Sequence, residues 1–243
     1  MVTRLPEPVQ YFVKKVAKYK KQILIVGCGL LTITLLIIGH SSYKRKREES
    51  AHGSFVQALE FFNAQVKAET KDIEKIELGE TSFIKEEEKW TKVAEVFKRG
   101  YEDHKNSGIA SIFLVFYSEA LLRLGKLNES IQEIDKAIAA MPNRAMSDYY
   151  SVKSAMMKFD TKDGAMVKDG LVVLTKLAGD EQSVANDNAL YHLGLYYWNS
   201  HNYDEAKNYW NQLRVKYGTE SNHPSEWISL SEDKLKLIDS KIT

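Results

Sequence analysis

The sequence predicts an all-α protein: one N-terminal transmembrane helix, then a short α-solenoid of about four helix pairs closed by a C-terminal capping helix. Three observations carry that expectation. Ile23–Gly39 is an uncharged apolar run. Only four prolines occur, at Pro6, Pro8, Pro142 and Pro224, so long tracts lack the residue that most strongly breaks helices. After Tyr43 apolar residues recur at steps of three and four, and strand-like alternation is scarce.

The bulk properties bound the function classes. The 243-residue chain has a net charge of +1, so no global field draws it to nucleic acid. Charged residues at 28% and hydrophobic residues at 44% describe a folded chain, not a disordered one. Cys28 is the sole cysteine, which excludes a disulfide framework.

Residues 1–21 read as a basic amphipathic segment. Val9, Phe12, Val13 and Val16 fall at helical spacing with lysines on the other face. That suits a helix lying in a membrane interface, its lysines turned to anionic head groups; a disordered basic tail is the other reading. Residues 22–40 read as the transmembrane helix. The uncharged run covers about 17 residues, the lower end of what spans a hydrocarbon core of ~30 Å. About eleven are Ile, Leu or Val, worth on the order of −3 to −7 kcal/mol on an insertion scale. No small-x-small cleavage site follows, so a removed signal peptide is not expected. Residues 41–53 read as a basic juxtamembrane linker containing Lys44, Arg45, Lys46 and Arg47. More cations precede the span than follow it, which favours a cytoplasmic N-terminus.

Residues 54–243 read as the helical-repeat domain. Phe55, Leu59, Phe62 and Val66 share one helical stripe, as do Trp90, Ala94, Phe97 and Tyr101. Tyr149, Val152 and Met156 continue the pattern, followed by Val167, Leu171, Leu174 and Ala178. Ser111–Arg144 superposes on Asp187–Glu220: Leu114, Tyr117, Ser118 and Leu121 match Leu190, Leu193, Gly194 and Tyr197 in order along one helix. The turn Gly125-Lys126-Leu127 matches His201-Asn202-Tyr203, and Ser130, Ile134 and Ala137 match Ala206, Trp210 and Leu213. Small residues (Gly194, Ala206, Ser130, Ala137) are expected where helices approach closely, and large ones (Tyr197, Trp210, Tyr203) in the holes beside them. Ser54–Ser107, with a polar loop near Thr70–Ser82, and Ser147–Gly179 read as degenerate units. A capping helix is expected from Pro224 through Trp227, Leu230, Leu237 and Ile238, because a stack must cover its last apolar face.

These offsets resemble the tetratricopeptide repeat, most closely in ALYHLGLYYWNSHNYDEAKNYW and also in SEALLRLGKLNESIQEIDKAI. The whole-chain layout of basic segment, uncleaved anchor and small repeat domain is similar to the bacterial family of ancillary SecYEG translocon subunits, whose repeat domain is shared with a cell-division coordinator. That resemblance implies an inner-membrane anchor, a periplasmic repeat domain and a role beside exported proteins and their chaperones. The basic flank Lys44–Arg47 departs from the pattern and suits instead a cytoplasm-facing receptor or scaffold.

In this repeat type the first helix of each pair lines an inner groove. The resemblance implies groove positions at Ile112, Val115, Glu119, Leu122 and Arg123, and at Asn188, Tyr191, Leu195, Trp198 and Asn199. Asn188, Tyr191, Leu195 and Trp198 share one helical stripe. An apolar and aromatic groove suits a peptide partner; packing on the neighbouring unit is the alternative for Tyr191 and Trp198. No catalytic constellation is found. Gly27-Cys28-Gly29 lies inside the apolar run and is no nucleotide loop. His192 and His201 do not have the spacing of a metal pair and read as structural. The expected partners are proteins and, through one helix, a membrane; no nucleic acid, cofactor, metal or enzymatic activity is expected.

Overall fold

The structure, a computed structural model, describes residues 20–67, 82–218, 220, 221 and 223–242, with the side chains of 20–35, 37, 241 and 242 not included. The expected interfacial segment at 1–21 and most of the expected span at 22–40 therefore lie outside the described residues or have undescribed side chains. Among the described residues no helix is long and apolar enough to cross a membrane. The chain divides into two compact units, Met1–Ser50 and Ala51–Thr243.

Nine helices and one minimal strand pair make up the described residues. Helix α1 is Lys20–Asn63 and is unbroken, so the expected linker at 41–53 is itself helical. Arg45 and Glu49 pair across one helical turn there at 2.8 Å, the spacing that supports an exposed helix. Strands β1 (Gln65–Val66) and β2 (Ser82–Phe83) pair in parallel and close off the polar loop expected at Thr70–Ser82, which lies outside the described residues apart from Ser82. The rest is helical: α2 (Glu86–Asp103), α3 (Ala110–Arg123), α4 (Leu127–Ala140), α5 (Arg144–Phe159), α6 (Gly164–Gly179), α7 (Asn186–Asn199), α8 (Tyr203–Tyr217) and α9 (Trp227–Ile242).

From α2 onward each helix packs on its sequence neighbour. The described residues are thus all but wholly helical, and the sequential packing is compatible with an α-solenoid, whose units touch only those beside them. Local chemistry sets the boundaries. Glu86, Glu87 and Glu88 open α2 and complement its dipole. Asn143 caps α5 by accepting from the Ala145 N–H at 2.8 Å, Asp163 does the same for α6 through Ala165 at 2.8 Å, and Asn202 caps α8 through Glu205 at 3.3 Å. Two turns share one hydrogen-bond pattern. After α3 the Lys126 N–H donates to Leu121 O at 2.9 Å and the Gly125 N–H to Leu122 O at 3.0 Å. After α7 Asn202 donates to Tyr197 O at 2.9 Å and His201 to Trp198 O at 3.0 Å. Both are Schellman caps, and both need a left-handed residue: Gly125 has φ 74° and His201 φ 59°.

The core follows the expected division of small and large residues. At the α3–α4 crossing, Ser118 Oγ donates to Ser130 O at 2.9 Å and Ser130 Oγ to Ser118 O at 2.6 Å, so two hydroxyls are buried without an unmet polar group. At the α7–α8 crossing a Cβ on Gly194 would strike the indole of Trp210, which is fully buried and donates Nε1–H to Tyr191 O at 3.1 Å. Ala137 and Ala206 are fully buried. Phe55, Phe62, Phe97, Phe113 and Phe116 form an aromatic cluster between the end of α1, α2 and α3, with Phe97 stacked on Phe116 at 4.9 Å.

The capping helix departs from expectation in start and in register. It begins at Trp227, three residues beyond Pro224. Its buried stripe is Ile228, Ser231, Leu235 and Ile238, whereas Leu230 and Leu237 are exposed. Ser231 explains the rotation: its hydroxyl bonds Ile228 O at 2.8 Å, which lets a polar residue occupy the core face.

Candidate partner-binding groove

Helices α5 and α7, and α7 and α9, also pack on each other although another helix separates each pair in sequence. Helices α5, α7 and α9 therefore share one side of the stack. The same side is tied between α3 and α5, where Lys153 Nζ donates to Glu119 at 2.6 Å.

On α3 the expected residues separate into three environments. Val115 is buried in a cluster with Leu114 and Ala137, and Leu122 packs toward Ile131, Ile134 and Met157. Val115 is thereby closed to a partner, while Leu122 stays half-buried. Ile112 is half-buried, Arg123 is exposed, and Glu119 lies between two cations. Arg123 donates to Glu119 at 2.9 Å and lies 5.4 Å from the Trp90 ring. Burial alone would raise the Glu119 pKa; the hydrogen bonds from Lys153 and Arg123 overcome it and hold the carboxyl below the usual range. Two cations share one carboxylate, so this part of the groove is net positive.

On α7 the alternative reading, packing on the neighbouring unit, holds for Tyr191, whereas Trp198 packs mainly on α8 of its own pair. Tyr191 is buried and stacks on Trp227 of α9 at 4.8 Å. Trp198 packs on Tyr203 and Trp210, and Lys234 of α9 lies over its ring at 5.2 Å. Both pack on adjoining helices, leaving Asn188 and Leu195 half-buried and Asn199 exposed.

The sequence reading missed α5. Met146, Tyr149, Lys153 and Met156 recur at helical spacing on it, and Tyr149 is 58% exposed. The stripe Tyr149–Val152–Met156 was visible, but the unit lacks the small residues that mark the repeat, so its inner face carried no signal. His192, read from the sequence as structural, packs beside the capping helix. Its ring is tilted 5.5 Å from Trp227, its Nδ1 is enclosed without a partner, and burial lowers its pKa to about 4.

Elsewhere the chemistry is sparse. A cleft of about 660 Å³ opens between the turn at Gly125–Glu129 and that at Asp160–Asp163, with both charge signs on its rim. Among the described residues no group of three His, Cys, Asp or Glu side chains could hold a metal ion. No family model, curated protein or solved structure matches the chain.

Proposed function

We propose that this chain is a membrane-anchored adaptor whose tetratricopeptide-like repeats hold other proteins at the bacterial inner membrane during protein export or envelope assembly. The observation that carries the binding half is the inner face of α5. Met146 and Tyr149 are exposed, and Lys153 lies on the same stripe beside the Glu119–Arg123 pair. A flexible thioether and a large aromatic ring next to fixed charges suit a peptide segment with apolar and acidic side chains. The anchor half is supported by the uncharged run Ile23–Gly39.

Photo-crosslinking from Tyr149 in whole membranes tests the reading. The expected products contain export, chaperone or envelope-assembly proteins; repeated crosslinking to none of these classes overturns it. The cation-rich segment Lys44–Arg47 favours a second reading, in which the same fold faces the cytoplasm as a receptor or scaffold. A cysteine introduced at Asn128, in a chain with Cys28→Ser, decides the side: labelling by an impermeant reagent in intact spheroplasts places the repeats outside, and protection places them inside.

A further inference from the structure

The first compact unit contains an ordered change of side-chain chemistry along one helix. Leu36 and Ile38 are exposed at 67% and 56%, and Tyr43 is exposed at 67%. Lys44, Arg45 and Lys46 follow, all exposed. Glu48 and Glu49 then close the basic zone. Arg45 is committed to Glu49 at 2.8 Å, and Arg47 is half-buried beside Glu48 at 3.6 Å. Lys44 and Lys46 have no counter-ion among the described residues.

Helix geometry turns this order into depth. At about 1.5 Å per residue, Lys44 stands roughly 1.5 Å and Lys46 roughly 4.5 Å beyond Tyr43, so with Tyr43 at the boundary both ammonium groups fall within one polar layer. A membrane presents the same sequence of layers: hydrocarbon, an interface that suits aromatic rings, then phosphates, with the polar layer about 5–8 Å thick on each side. Direction around the helix also discriminates. Successive residues turn by about 100°, so Lys44, Arg45 and Lys46 point to three sides. A protein partner meets one side of a helix, whereas a lipid surface surrounds it.

We infer that Tyr43, Lys44 and Lys46 form an interfacial collar that selects anionic phospholipid head groups, Tyr43 lying at the boundary and the two unpaired lysines binding lipid phosphate. The inference rests on the membrane reading above and adds a lipid preference to it.

The test uses the full chain with Cys28→Ser and a fluorophore on Ser42→Cys, reconstituted in mixed phosphatidylcholine and phosphatidylglycerol vesicles. One lipid at a time carries brominated acyl chains that quench the label. The collar predicts about twofold stronger quenching by brominated phosphatidylglycerol than by the same mole fraction of brominated phosphatidylcholine, diminished at high salt. The Lys44→Gln/Lys46→Gln variant is expected to quench equally with both. Equal quenching in the parent protein overturns the collar while the membrane reading stands. A preference that survives in the double variant overturns the assignment to Lys44 and Lys46. A chain that leaves the vesicles on alkaline washing overturns the membrane reading, and the collar with it.

Discussion

His201 stands in the turn where the matching repeat has Gly125, and both adopt positive φ. Glycine meets no steric penalty there, whereas a residue with a Cβ loses roughly 1 kcal/mol. His201→Gly is therefore expected to stabilise the protein by about 0.5–1 kcal/mol, because the ring gives up only a 6.1 Å stack on Tyr203 and the Schellman bonds are backbone bonds. A urea midpoint that stays put or falls would show that the turn tolerates histidine without strain. His192 makes a prediction about pH. Burial favours its neutral form, so its folded pKa of about 4 lies below the ~6.5 of an unfolded chain. The unfolded state takes up the proton first as pH falls. The contribution is complete above about pH 6.5, declines between 6.5 and 4, and is gone below 4, with a total on the order of 3 kcal/mol. In His192→Gln the urea midpoint should fall less between pH 7 and pH 4.5 than in the parent; identical pH slopes would mean that this ring is protonated equally in both states.

At the scale of elements, one lysine joins three helices. Lys158 on α5 is 5% exposed and lies 2.8 Å from Asp135 on α4 and 2.8 Å from Asp169 on α6. Asp135 also accepts from Ser154 Oγ at 2.5 Å. Burial alone would lower the lysine pKa; the two carboxylates outweigh it and raise it. Its stabilising effect is thus complete below the unfolded value near 10.4 and is lost as pH rises through the folded pKa. Each aspartate is partly solvated, so removing one leaves the lysine paired. Asp169→Asn should cost about 0.5–1 kcal/mol, whereas Asp135→Asn/Asp169→Asn leaves a buried cation without a partner and should cost about 3 kcal/mol or more. The measurement is the coupling in a double-mutant cycle followed by urea unfolding; simple additivity would mean that the ammonium reaches water when its partners go. Nothing in the sequence marked this triad, since its members lie on three helices and share no helical spacing. Asn143 and Asp163, which stand directly before α5 and α6 and cap them, were not singled out in the sequence reading either, although Asn and Asp at that position are ordinary helix-start signals.

Over the whole molecule, what could be read from sequence is what the helix pairs repeat locally. Gly194 against Trp210 and Ser118 against Ser130 are close approaches fixed within one pair, so their residue types carry the information. The inner face depends on how successive pairs stack, and that was misread at Val115 and Tyr191, which adjoining helices bury. The register of α9 was misread in part for a related reason: counting apolar residues selects Trp227, Leu230, Leu237 and Ile238, of which Ile238 is buried, while Leu230 and Leu237 are exposed and the packed stripe runs through Ser231. Trp227 still matters, because its ring covers Tyr191 and His192 and closes the last unit. In a stack held by nearest-neighbour contacts, loss at one end is not transmitted far. Trp227→Ala should therefore loosen α9, and with it the faces of α7 and α8 on which α9 packs, while α2, α3 and α4 keep their protection. Amide hydrogen exchange reads this directly. The expected pattern is faster exchange in α8 and α9, a smaller effect in α7, and parent-like exchange in the helices around Phe97 and Phe113. Uniformly faster exchange across all units would instead make the repeats one cooperative block, in which the end helix stabilises the aromatic cluster at the other end as much as its own neighbours.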